Sequence, residues 1–430
     1  MFENLQGKKV LIIGGIGPMA DLVTLAHRNG VKVGVADYNK GTYLKKIADY
    51  SHDINVTDVD KVVELCNNEH YDGVISNFND MLSPFVSRVA EKCGFYSPYT
   101  EEQLLMSTNK KYFKKKCLEY GVSVPAEYYI SSKEELDKSE IVYPVIIKPV
   151  DGSGSKGISI CKNKNELLEG YDKAISDSRS KDVIVEQYIE GDEINVTYII
   201  QNGDIQLAAI HDRYFNTSQP NVVQVPDLYI YPSRYTDVFV KKFNNNVINM
   251  LKGIGLKNGS LFMQACVKDD IVYIYEAGMR LNGCKTYQIL EYENKYNTFE
   301  HLLCYALTGN MGEKQNFNPY LKKWYATVNV LGIPGETIDH FLGINELESY
   351  PWLIHIARQY YDGETIPATS AGTLIQDTTR IHLLADTKDE LIERINKVNE
   401  LYKLINPKGE NVILKPHDTE EIRSKLNYEL

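Results

Sequence analysis

Lys148 ends the apolar run Tyr143-Pro-Val-Ile-Ile-Lys148, and Pro149-Val-Asp-Gly-Ser-Gly-Ser-Lys-Gly157 follows it. An ammonium delivered by a buried strand is costly unless an anion meets it. The glycines and serines behind it allow several backbone N–H groups to converge on phosphate oxygens, and Lys156 adds charge. The order is not GxxxxGK[ST], so this is no Walker A loop; a surface loop after an edge strand is the bland alternative. Downstream, Val185-Glu186-Gln187-Tyr188-Ile189-Glu190-Gly191-Asp192-Glu193 sets Glu186 and Glu193 around a strand end. Gln264 lies in one later strand and Glu276 in the next, followed by Ala-Gly-Met-Arg280. Oxygen ligands on neighbouring strands suit Mg²⁺, which takes its other ligands from water and phosphates. Singly each acid reads as a solvated charge; their order and spacing together read as a phosphate and metal site.

A second glycine motif competes. Gly15-x-Gly17-x-x-Ala20 follows a strand and opens a helix, with Asp37 ending the next strand. That pattern fits a dinucleotide fingerprint and an NAD-dependent oxidoreductase. It equally fits glycines needed for close helix–strand packing, and it leaves Lys148, Glu193 and Glu276 unexplained.

The elements that must position these residues are legible in outline. Strands at 9–13, 31–36 and 73–76 alternate with helices at 19–29, 61–68 and 85–93, which implies a parallel sheet between helical layers. A basic helix at 109–120 precedes strands at 145–148 and 183–189 and a β-rich stretch from 193 to 210. One helix is expected over 238–253, then a hairpin of 261–267 and 271–276. From about 317 the chain mixes strands with an amphipathic helix at 388–404. The overall class is α/β and α+β, multidomain.

Lys and Arg total 47 against 58 Asp and Glu, a net charge of -11, so general binding to nucleic acid or anionic membrane is not expected. Seven cysteines without a CxxC pair give neither a zinc spacing nor a disulfide framework, which points to a reducing, cytoplasmic setting. Lys8-Lys9 and the stretch 10–20 resemble a leader superficially, but Gly14, Gly15, Gly17 and Pro18 interrupt it.

Taken in order, these motifs resemble the ATP-grasp superfamily, of the carbamoyl-phosphate-synthetase-like and carboxylate–amine ligase type. The resemblance implies a Rossmann-like pre-ATP-grasp domain at 1–100, a two-part ATP-grasp module at 101–312 and a mixed, β-rich C-terminal lid at 313–430. The stretch Ile366 to Gly372 and Arg380 carry the likeness of the lid. Lys110 and Lys148 would contact the phosphates of ATP, and Ser153, Gly154 and Ser155 would form the flap over them. Glu186, Gln187 and Ile189 would line the adenine site, and Glu193 would bind the ribose. Gln264 and Glu276 look like ligands of Mg²⁺ (or Mn²⁺), and Arg280 like the group neutralising the transferred phosphate. Arg213 is a further catalytic candidate; Asp80, His211 and Asn282 are substrate candidates, with Asp80 equally placed to cap a helix. The family usually has Glu-x-Asn-x-Arg, whereas Gly278 stands in the Asn position. That ligand is then lost, replaced by water or supplied by Asn282.

The implied reaction activates a carboxylate as an acyl phosphate for attack by an amine, releasing ADP and phosphate. The partners would be small-molecule acids and amines, and a homodimer is compatible. Carbamoyl-phosphate-synthetase-like phosphoryl transfer is one alternative, and an ATP-binding regulatory protein that has lost turnover is another.

Overall fold

The computed structural model describes residues 2–152, 156–219 and 224–430. Four parallel strands lie in the order Tyr50–Asp53, Lys32–Asp37, Lys9–Ile13, Gly73–Ile75. Between their charged ends the inner ones are apolar (Val10, Leu11, Ile12 and Ile13 are buried) because helices cover both faces. The strand Gly73–Ile75 releases the segment 77–80 at its carboxyl end, where open α/β sheets place ligands.

Thr100 closes a capping box with Gln103 on the helix Glu101–Thr108. Asn109 then caps Lys110–Glu119 through the Tyr112 N–H, which sets Lys110 in its first turn. A small antiparallel sheet follows, in the order Glu127–Tyr128, Val183–Gln187, Val145–Pro149, Ser159–Cys161, backed by the helix Lys164–Asp177.

The largest sheet has eight antiparallel strands: Ile271–Gly278, Gly259–Lys268, Asp192–Gln201, Asp204–Phe215, Pro226–Tyr231, Trp324–Leu331, Asp377–Ala385 and Leu353–Arg358. It runs unbroken past residue 312, because Pro226–Tyr231 pairs with Trp324–Leu331. The chain also returns to the first layer: Leu281, Phe299, Leu302 and Leu303 share a core with Val10, Ile12 and Leu22. The expected helix over 238–253 is instead two, Thr236–Lys242 and Asn244–Gly253, separated at Phe243. No proline or glycine marks that break, since the apolar period continues through it. Among the described residues no helix is long and apolar enough to cross a membrane.

Candidate functional site

Antiparallel pairing of Val145–Pro149 with Val183–Gln187 sets Ile146 opposite Glu186 and Lys148 opposite Ile184. Ile146, Lys148, Ile184 and Glu186 therefore share one face of this sheet. Lys148 Nζ lies 2.5 Å from Glu186 Oε2, and both residues are buried. The other Glu186 oxygen meets Lys114, which also lies 3.5 Å from Glu127. Burial pushes the Glu186 carboxyl upward, but Lys148 and Lys114 outweigh it and hold it below its ordinary value. The Glu186 side chain is thus a counter-ion that aims Lys148, while Gln187 is exposed and Ile189 half-buried. Lys110 Nζ donates to the Gly152 carbonyl at 2.7 Å, and its backbone N–H to Val150 at 3.0 Å. Burial lowers the Lys110 ammonium from its usual range. It stands at the root of the glycine loop; Ser153, Gly154 and Ser155 themselves fall outside the described residues.

Across from these lysines the large sheet brings Glu193, Arg213, Gln264 and Glu276 together. Glu193 and Arg213 are register partners, as are Gln264 and Glu276. Arg213 Nη1 donates to Glu193 Oε2 and to the Tyr275 hydroxyl, each at 2.9 Å. That hydroxyl also bonds Glu193 and lies 3.3 Å from Gln264 Oε1. Burial raises the Glu193 carboxyl despite Arg213. Lys148 Nζ sits 5.7 Å above the Tyr275 ring, so the two halves face each other. No group of three or more His, Cys, Asp or Glu is arranged to hold a metal among the described residues. What the chain offers is the adjacent oxygens of Gln264 and Glu276. The Glu276 carboxylate has no hydrogen-bond or ion-pair partner among the described residues, although it interacts electrostatically with Lys110. Two hard oxygen donors fit a cation that takes its remaining ligands from phosphate and water.

Arg280 is tied to the first layer. Its Nε and Nη2 lie 2.8 and 2.7 Å from Asp80 Oδ2. Asn77 Oδ1 accepts the Leu281 N–H at 3.1 Å, so the segment 77–80 holds both the Arg280 side chain and the backbone of the residue after it. Asp80 does not cap the next helix: Leu82 holds that position. Burial raises the Asp80 carboxyl, with Arg280 opposing.

Gly278 has a steric reason. It pairs directly with Phe262, and a Cβ there would come 2.2 Å from Phe262 Cε1. Phe262 is buried and supports the Arg280 guanidinium at 4.9 Å from its ring centroid. An asparagine cannot occupy this position without displacing the ring under Arg280. Gly278→Asn is therefore expected to lower unfolding stability by about 1–3 kcal/mol, as overpacking does, without tightening Mg²⁺ binding. Urea unfolding and a Mg²⁺ titration check this; a stable variant with tighter Mg²⁺ binding would contradict it.

Asn282 does not take over as a ligand in this arrangement. Its Oδ1 accepts the Thr286 N–H at 3.0 Å, and its Nδ2 donates to the Thr197 and Thr286 hydroxyls at 3.1 and 2.7 Å. His211 is 0% exposed, packed against Tyr229 and Tyr231 with Nε2 3.5 Å from Cys284 Sγ. Burial drives it well below its ordinary pKa, so it is a neutral core residue with no open path to a substrate. Asp37 accepts the Gly15 and Asn39 N–H groups, both at 2.7 Å. A Cβ on Gly15 would lie 2.6 Å from Thr42 Oγ1, so this turn is glycine-rich for packing.

Sequence reasoning missed Lys114, Tyr275 and Phe262. Lys114 was findable, because it lies four residues after Lys110 and shares its helix face. Tyr275 and Phe262 were not, since strand alternation alone gives no register.

Residues 141–288 match the ATP-grasp domain family model. The formate-dependent phosphoribosylglycinamide formyltransferase of Prochlorococcus marinus is 26% identical over 195 residues, 44% of this chain and 50% of that protein. The chain thus spans about half the length of that relative. The biotin carboxylase domain of Hydrogenobacter thermophilus 2-oxoglutarate carboxylase, solved with MgADP, superposes with a TM-score of 0.77 at 17% identity, covering 93% of this chain and 91% of that one. The L-amino acid ligase of Bacillus licheniformis gives 0.74 at 16% identity, covering 93% and 99%. The shared architecture includes the layers on either side of the matched segment.

Proposed function

We propose, on the premise that residues 141–288 are an ATP-grasp domain, that this chain is an ADP-forming ligase joining a carboxylate to an amine. The observation that carries the reading is one charge cluster, in which Lys110 interacts electrostatically with Glu276, Lys148 and Asp80, the last being the partner of Arg280. Three cations and an unpartnered carboxylate beside Gln264 make a place for a metal-bound triphosphate, not for a hydride carrier.

In this reading Lys148 and Lys110 hold the phosphates, and Glu193 takes the ribose hydroxyls. Gln264 and Glu276 would hold Mg²⁺, which when bound offsets phosphate charge. A carboxylate oxygen of the substrate attacks the γ-phosphorus, and the bond to the ADP oxygen breaks. Arg280, braced by Asp80 and Phe262, neutralises charge on the transferred group. The amine then attacks the acyl carbon, phosphate leaves with the former carboxylate oxygen, and the amine proton goes to solvent.

The test is ADP release with Mg²⁺-ATP across pools of carboxylic acids and amines. ADP formed only when an acid and an amine are both present supports the ligase. ADP formed with an acid or bicarbonate alone would instead support a phosphoryl transfer of the carbamoyl-phosphate-synthetase kind. ATP binding by calorimetry without any ADP would favour an ATP-binding regulatory protein that has lost turnover.

A further inference from the structure

Tyr275 reaches the nucleotide site through an irregularity in strand pairing. Gln264 pairs with Glu276 and Ala265 with Ile274, so Tyr275 is an extra residue with no partner across the pair. Regular alternation would send Tyr275 and Glu276 to opposite faces, and a bulge of this kind re-aims a side chain. Both residues consequently serve one site. The Tyr275 hydroxyl meets Glu193, Arg213 and Gln264, while Glu276 stays within electrostatic reach of Glu193 and Lys110.

Hydrogens are short at this hydroxyl. Arg213 Nη1 has two, and it gives one to Glu193 Oε2 and one to the Tyr275 oxygen, each at 2.9 Å. Tyr275 has a single hydrogen and two acceptors within reach, Glu193 Oε2 and, at 3.3 Å, Gln264 Oε1. One hydrogen cannot serve both fully. The carboxylate is the stronger acceptor, yet the Gln264 side chain has no other hydrogen-bond partner among the described residues and competes for the same hydrogen. On Glu193 both bonds fall on Oε2, and Oε1 has no hydrogen-bond partner among the described residues. The hydroxyl thus stands between an oxygen open to a sugar and an oxygen open to a cation.

We propose that Tyr275 is a positioning residue that couples the sugar acid Glu193 to the metal oxygen of Gln264. The inference rests on the nucleotide part of the ligase reading, which puts ribose at Glu193 and Mg²⁺ at Gln264 and Glu276. Without a cation, the hydroxyl divides its hydrogen between Gln264 and Glu193. With a cation on Gln264 Oε1, the hydrogen belongs to Glu193 alone, which fixes that carboxylate through Oε2 and leaves Oε1 to the sugar hydroxyls. Linkage makes the effect mutual: ribose on Glu193 holds the hydrogen there and frees Gln264 Oε1 for the cation.

Calorimetric titrations of the full chain with ADP and with 2′,3′-dideoxy-ADP, each in excess Mg²⁺ and in EDTA, test it. The quantity read is the ratio of the two dissociation constants, which reports what the sugar hydroxyls contribute. In the wild type that ratio should be about 5-fold or more larger with Mg²⁺ than without it, the lower end of ordinary coupling between sites. Tyr275→Phe keeps the ring under Lys148 and leaves Glu193 bonded to Arg213, so it strands no partner. Its ratio should be the same with and without Mg²⁺, an outcome that a loss of packing alone does not produce. Glu193→Gln should bring the ratio close to one in both conditions. A wild-type ratio indifferent to Mg²⁺, or undiminished coupling in Tyr275→Phe, overturns the proposal and spares the ligase reading. Failure of the wild type to bind ADP at all removes both. Coupling that disappears in Tyr275→Phe, in a protein that forms no ADP with any acid and amine, keeps the link and removes only the ligase.

Discussion

Lys148→Met should cut ADP formation by about 10²–10³-fold or more, the scale of losing a preorganised charge at a reacting phosphate. It should also destabilise the fold. Glu186 would keep Lys114 but lose the partner 2.5 Å away, and breaking a buried pair costs about 3–5 kcal/mol. The variant Lys148→Met with Glu186→Gln removes both charges, leaves Lys114 with Glu127 at 3.5 Å, and should recover part of that stability without recovering turnover. Urea unfolding and ADP release on the same preparations separate the two effects. If the double variant regained activity, Lys148 would be a structural counter-ion and nothing more.

Glu276→Ala is expected to lower turnover by about 10²-fold or more while leaving the protein folded. Glu276 is half-buried and has no hydrogen-bond or ion-pair partner among the described residues, so its removal breaks no bond and costs Lys110 only an electrostatic neighbour. Raising Mg²⁺ should recover part of the loss, because one of two protein ligands remains in Gln264. Magnesium dependence of ADP formation, set beside far-ultraviolet circular dichroism, measures this. A variant with unchanged magnesium dependence would remove Glu276 from the metal site.

What the sequence made legible were groups whose chemistry is local. Lys148 before its glycine loop, the pair Gln264 and Glu276 on successive strands, and the parallel first layer all follow from spacing and period. What stayed hidden depends on register between distant segments. Glu186 reads as an adenine-site residue until antiparallel pairing sets it beside Lys148. Asp80 reads as a helix cap until the chain returns two hundred residues later with Arg280. Gly278 reads as a lost ligand until Phe262 is found across the strand pair. His211 is polar in sequence but lies on a face that the loop at Cys284 covers, which no periodicity reveals. The fold was therefore easier to read than the partners within the site.

The central claim, activation of a carboxylate as an acyl phosphate, is tested most directly by oxygen tracing. The acid identified in the ADP-release screen is labelled with ¹⁸O in its carboxylate and turned over with Mg²⁺-ATP and the amine. The account predicts one labelled oxygen in each phosphate released, with ADP as the nucleotide product. Unlabelled phosphate, or label recovered in AMP, would contradict it.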